Sequence, residues 1–284
     1  VRPPLEPGAH LNHNHNTEVM KMIGRKTVIG LSLLCALVFS AFAASSAMAV
    51  NGTTAFTCVE KSELGAGFSD AHCKTAVPSG AKFIHVEIKQ DEETIFHATN
   101  AKTNSTTTGA EPAILKGSPL GIETEISCST VTSHGKITNR LNATKEHRIE
   151  GSVITIKYTG CKVTKPAGCV IPKEEILVEG IKATTEGQEM NVKYSPEVGT
   201  TFVTITFEKC TNPLANGKHE VKGTARAQPE GATLVFNHNT ITNEKTLEFF
   251  GANTGLEGKI TISQAEKTEE TAKTGNPITT TTVT

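Results

Sequence analysis

The chain of 284 residues contains no tryptophan and two tyrosines. Aspartate occurs only as Asp70 and Asp91. Each scarcity removes a class of function. A carbohydrate-binding platform draws on exposed aromatic rings, which this composition hardly supplies. Calcium loops need dense aspartate, and a Ser/His/Asp triad needs an aspartate to orient its histidine. No phosphate-binding loop is present either, because "GAGF" at 65–68 is too short and precedes no helical pattern. Charge of one sign is also missing: 28 basic residues face 29 acidic ones. A nucleic-acid partner calls for a concentrated basic surface and is not expected.

Long apolar runs are equally rare. The single one, Val28 to Ala44, follows Lys21, Arg25 and Lys26 and leads into "ASSAMA", which ends at Ala49. A basic segment, an apolar segment and small residues in that order read as a secretory signal cleaved after Ala49. The run exceeds the usual apolar region of roughly 7–15 residues, so retention as an N-terminal anchor is the competing reading. Translation is expected to start at Met20 or Met22, with His10, His13 and His15 upstream of it. Cys35 lies inside the apolar run as filler. Cleavage would leave a secreted or cell-surface protein from residue 50 onward, with no later membrane span.

What is present points to disulfides and strands. Outside the apolar run the cysteines are Cys58, Cys73, Cys128, Cys161, Cys169 and Cys210. An even number in an exported chain reads as a disulfide framework. The expected bridges are Cys58–Cys73, Cys161–Cys169 and Cys128–Cys210. In "GCKVTKPAGC" seven residues separate the two cysteines. Zinc knuckles space them roughly two to four apart, and redox motifs use C-x-x-C, so this stretch reads as a stapled hairpin. "Asp70-Ala-His72-Cys73", with Cys58, offers mixed zinc ligands; an oxidising compartment favours the bridge instead.

From about Ala81 the dominant period is two. "FIHVEIK" sets Ile84, Val86 and Ile88 against His85, Glu87 and Lys89. "GIETEIS", "SVITIKY", "TFVTITF" and "GKITIS" alternate in the same way around Ile122 and Ile126, Ile154 and Ile156, Ile205 and Phe207, and Ile260 and Ile262. Such alternation, rich in Val, Ile and Thr, belongs to half-buried antiparallel strands. Gly180 and β-branched neighbours make "KEEILVEGIKATTEG" a strand rather than a helix. The fold expected is all-β: an antiparallel sandwich or flattened barrel with Greek-key-like connections, stapled by disulfides. A small N-terminal subdomain over 50–99, a main sheet over 112–264 and a disordered Thr-rich tail over 265–284 are the expected divisions.

Catalytic motifs are weak. "Ser133-His-Gly-Lys136" and "Lys273-Thr-Gly275" match β-lactamase motifs, but no S-D-N accompanies them and the first lies in a strand pattern. Glu123 with Glu125, and His85 with Glu87, each share the polar face of a strand, where a solvated face is the plainer reading. His219 shares parity with Val221 and reads as a partly buried, hydrogen-bonded histidine. Asn51, Asn104 and Asn142 open N-x-[ST] triplets that read as chance in a Thr-rich chain.

Three passages, "FTCVEKSELGAGFSDAHC" (56–73), "EISCSTVTSHGKITN" (125–139) and "ITIKYTGCKVTKPAGCVI" (154–171), followed by "FEKC" and "GKHEVKGTA", resemble a group of exported, Thr-rich, all-β proteins of soil actinobacteria. The resemblance implies export and an all-β fold, and it brings no assigned activity. No catalytic residue, cofactor or metal is expected. The first functional reading is a non-enzymatic structural or ligand-binding module of the cell envelope or medium, its partner an unspecified extracellular ligand. The second is a secreted hydrolase with Glu and His assembled from separate strands. Convergence of such side chains in one deep cleft separates the two.

Overall fold

The computed structural model describes residues 52–63, 65–100, 111–118, 123–186, 190–237, 246–266 and 274–283. The expected signal segment, Cys35, the histidines before Met20, Ile122, Asn51, Asn104 and Lys273 lie outside them. Residues 50–284 form one compact unit.

The described residues form seventeen strands and no α-helix. The first five are β1 (Gly52–Glu60), β2 (Gly67–Phe68), β3 (Ala76–Val77), β4 (Phe83–Glu87) and β5 (Thr94–Asn100). Next come β6 (Ala113–Gly117) and three long strands, β7 (Thr124–Leu141), β8 (His147–Lys165) and β9 (Glu175–Glu186). Then follow β10 (Asn191–Pro196), β11 (Thr201–Phe207), β12 (Gly217–Gly223), β13 (Ala225–Glu230) and β14 (Thr233–Asn237). The last are β15 (Leu247–Phe249), β16 (Ala252–Ala265) and β17 (Thr274–Val283).

Pairing closes these strands into a barrel. Going round one half, β16 pairs with β5, β5 with β7, β7 with β8, and β8 with β9. From there β9 pairs with β10, β10 with β13, β13 with β14, and β14 returns to β16. The other half reuses the long strands: β6 bridges β16 and β7, while β16, β15, β12 and β11 follow one another on the opposite wall. β7 and β16 therefore run through both halves, and β5 and β6 lie end to end between them.

Alternation explains the filling. Ile126, Ile137, Ile154, Ile156, Val178 and Ile181 point inward and are buried. An eight-stranded barrel is just wide enough for side chains to fill it, and the hollows left inside are only about 40 Å³ each. Gly135 belongs to this packing. A Cβ there would lie 3.0 Å from the Phe96 ring and 3.0 Å from the Ser152 carbonyl oxygen.

Several expectations change. Residues 50–99 do not stand apart from 112–264, because β5 is built into the barrel wall between β7 and β16. Within the tail, residues 274–283 form a strand: β17 pairs with β1 from Gly52↔Val283 to Thr57↔Ile278. Its threonines give little apolar area, but the strand completes a ladder, and Ile278 and Thr279 are buried. On β4 the faces differ from the alternation, since Val86 is exposed.

Among the described residues all six cysteines are bridged. Cys58 and Cys73 are joined, but the other two bridges are Cys128–Cys161 and Cys169–Cys210. Register is the reason. β8 runs four residues beyond Cys161, so Cys161 sits within the ladder and directly opposite Cys128. Cys169 lies past the turn, where Val170 bridges Glu208 and brings Cys210 alongside. "GCKVTKPAGC" is therefore not a stapled hairpin: its two cysteines belong to different bridges.

Where β1 crosses the end of β7, the joint is polar. The buried Asn139 side chain accepts from the Ala55 amide (2.8 Å) and donates to the carbonyls of Ala55 (3.0 Å) and Ile88 (2.6 Å). An unsatisfied buried partner costs about 1–3 kcal/mol. Asn139→Ala strands three such groups, and urea unfolding is expected to show a loss on the order of 3–5 kcal/mol.

Candidate functional site

Few rings are available; Phe96, Phe202, Tyr194 and Phe236 fill the interior, and two further clusters lie at opposite ends of the barrel. At the β1 mouth His85 lies between Phe56 (5.0 Å between centroids, stacked) and Phe68 (4.3 Å), and its Nε2 shares a 3.0 Å hydrogen bond with the Thr279 hydroxyl. At the other mouth Phe207, His219, Phe249 and Phe250 are in contact, with His219 and Phe250 at 4.3 Å and Phe249 and Phe250 at 4.4 Å.

Beside this second cluster opens a groove of about 620 Å³, within the range of ordinary small-molecule sites. Its floor is the outer face of β11, β12 and β15, presenting Thr204, Lys218, Glu220, Lys222 and Glu248. Phe250 and Gly251 form one wall. Glu220 is held by Lys222 (3.2 Å) and by the Thr201 hydroxyl (3.2 Å).

The turn explains how Phe250 is presented. Phe249 pairs with Ala252, so Phe250 and Gly251 form a two-residue hairpin loop, with φ of 51° and 73°. Positive φ at both positions is the type I′ geometry, which favours Asn-Gly. A bulky phenylalanine there works against the local preference, at about 1–3 kcal/mol. The ring is nevertheless 39% exposed and lies nearly parallel to Phe207.

This site was not legible as such from the sequence. The signal was "LEFFGANTG": Leu247 and Phe249 share one strand face, which leaves the next ring, Phe250, to the turn before Gly251. His219 is half-buried, and its Nε2–H donates to the Ala215 carbonyl at 2.9 Å. His219 also borders the groove with Glu220 and Glu248, but as neighbours on β12 His219 and Glu220 alternate in direction, and the partners of the imidazole are the Ala215 carbonyl and the rings of Phe207 and Phe250.

The remaining sequence candidates have structural duties. Glu123 pairs with Lys165 (2.8 Å), and Glu125 accepts from the Thr164 hydroxyl (2.7 Å). Ser133 faces the interior of β7 and Lys136 the outside, where it meets Glu93. Asn142 shapes the β7–β8 turn, its Oδ1 accepting from the amides of Thr144 and Glu146 (2.9 Å each). Asp70 accepts from the amides of His72 (3.0 Å), Lys74 (3.1 Å) and Thr75 (2.7 Å). Burial acts upward on its carboxyl, but these amides outweigh it and hold the group below its ordinary 3.8. Among the described residues no three His, Cys, Asp or Glu side chains converge as a metal site.

Comparison with protein-family models, with curated proteins and with solved structures returned no match.

Two outcomes are expected. Burial between two rings holds His85 below its ordinary 6.5, so folding favours the neutral imidazole. That contribution is fully present above pH 6.5 and is lost as pH falls below it. Urea titrations at stepped pH should show this slope, and His85→Gln should flatten it. In Phe250→Asn the gain in turn preference and the lost ring contacts, each about 1 kcal/mol, should nearly cancel. A loss above about 3 kcal/mol would instead mark the ring as structural.

Proposed function

We propose that this is an exported, non-enzymatic β-module acting at the cell envelope or in the medium, structural or ligand-binding in role, with the groove beside Phe250 as its contact surface. The observation that carries the reading is the complete pairing of Cys58, Cys73, Cys128, Cys161, Cys169 and Cys210 into three bridges. Disulfides form and persist in oxidising compartments, and a β-barrel tied at three places suits an environment without chaperone repair. The basic, apolar and small-residue order before Ala49 and the resemblance to exported Thr-rich proteins support the same reading.

The groove favours binding over chemistry. Lys222 and the Thr201 hydroxyl already hold Glu220, while an exposed ring is kept in a turn that does not favour it.

Expression of the full chain with its leader, followed by fractionation and intact mass, tests the reading. The expected product is exported, lacks residues 1–49 and gains two hydrogens for each of three bridges on reduction. A cytosolic product of full length bearing seven free thiols would falsify it.

A further inference from the structure

One joint in the barrel wall lacks a ladder. Among the described residues, β11 pairs only with β12, and the first half of β9, Glu175 to Val178, pairs only with β8. The edges of β9 and β11 face each other with no strand pairing between them. The joint is fastened at its two ends. At one end the Glu197 amide donates to the Gly180 carbonyl (2.7 Å), just before the chain enters β11. At the other, Val170 and Glu208 exchange two backbone hydrogen bonds (2.8 and 2.9 Å), next to the Cys169–Cys210 bridge.

Directly behind the seam lies one of the interior hollows. Its lining is almost wholly apolar and includes Ile176 and Val178 from one edge and Phe202 and Ile205 from the other. The bridge at its end also differs in exposure. Cys58, Cys73, Cys128 and Cys161 are all buried, whereas Cys169 is partly open to solvent.

We propose that the β9–β11 seam is a gate into an apolar binding site for small nonpolar molecules, held shut by the Cys169–Cys210 clasp. Backbone pairing elsewhere in the wall must break along a whole ladder before a strand moves, but here only side-chain packing, the clasp and the three backbone hydrogen bonds at the two ends oppose separation. Opening takes an external dithiol as reductant. Its thiolate attacks Cys169 Sγ, and the Cys169–Cys210 bond breaks as a mixed disulfide forms. Cys210 leaves as a thiolate and takes up a proton. The second thiol of the reductant then displaces Cys169, leaving two protein thiols and an oxidised dithiol. β11 keeps its ladder to β12 and swings with it, and the hollow admits a guest. An apolar cavity of about 150 Å³ stays dry and takes up benzene; the closed hollow of about 40 Å³ reaches such a size only when the two edges separate.

The test uses folded protein and limiting dithiothreitol. Alkylation and peptide mass mapping should find Cys169 and Cys210 modified before the other four. Amide exchange across Thr201–Phe207 should rise on the order of tenfold while the β7–β8 ladder keeps its protection. Benzene should shift the methyl resonances of Ile176, Val178 and Ile205 in the clasp-reduced protein and leave them unmoved in the oxidised one. Val178→Phe should abolish those shifts and keep the faster exchange. C169S/C210S should behave as the reduced protein without any reductant; should it not fold, the in situ reduction decides alone. Earlier reduction of either buried bridge overturns the proposal. So do unchanged exchange in β11, or benzene shifts that are equal in both states.

Discussion

The antiparallel ladder between β7 and β8 is the constraint on which the rest of the barrel depends. It runs from Glu125↔Lys165 to Leu141↔His147, and alternate residues along it face the interior of both halves. A slip of one residue would turn every inward side chain outward, so Ile126, Ile137, Ile154 and Ile156 hold the register together. The Cys128–Cys161 bridge makes that register covalent. Short strands then find their places along its edges: β5 and β6 in sequence on the β7 side, β9 on the β8 side. Bulges between His134 and Lys136, and between Gly151 and Ile154, let two such long strands bend around a closed wall.

The two mouths solve the problem of ending this ladder in different ways. At the β1 mouth the closure is polar. Asn139 satisfies both backbone groups of Ala55, and the Thr185 hydroxyl accepts from the Ile149 amide (3.0 Å) while meeting Thr53. Buried polar groups arranged this way specify one docking of β1 and disfavour others, since any other leaves them unpaired. The opposite mouth uses rings and a bridge: Phe207, His219, Phe249 and Phe250 pack together, and Cys169–Cys210 ties the chain just after β11. Its closure is apolar and less directional, which is where an exposed ring and an unladdered seam can coexist.

The fold class was legible because period-two alternation reports a local property, the face each residue turns to the core. Ile154, Ile156, Ile205, Phe207, Ile260 and Ile262 are buried as their parity demands. What alternation cannot encode is which strand lies beside which. Cys128 and Cys161 were each readable as strand residues, yet their union depends on how far the β7–β8 ladder runs before its turn. β17 shows a second limit. "TGNPITTTTV" has too little apolar area to call for burial by itself, and it is ordered by the backbone groups that β1 offers. The groove was hidden for a third reason, since its floor joins β11, β12 and β15 with a loop whose geometry contradicts its own residue preference.

Composition and architecture together limit what such a barrel can do. A chain rich in Val, Ile and Thr fills a narrow interior nearly completely, and its hollows of about 40 Å³ are too small for an ordinary ligand. On the proposed reading, recognition takes place on the outside or by displacement of the wall. On the outside, the few rings that are not needed for filling become the main source of apolar contact, and Phe250 is the one held out against the preference of its turn. In the wall, displacement is cheapest where no ladder has to break, and that is the joint between β9 and β11. Both routes lie on the half of the barrel that Cys169–Cys210 fastens, opposite the half locked by Asn139. The polar end thus fixes how β1 docks on the barrel, and both proposed binding routes fall at the apolar end.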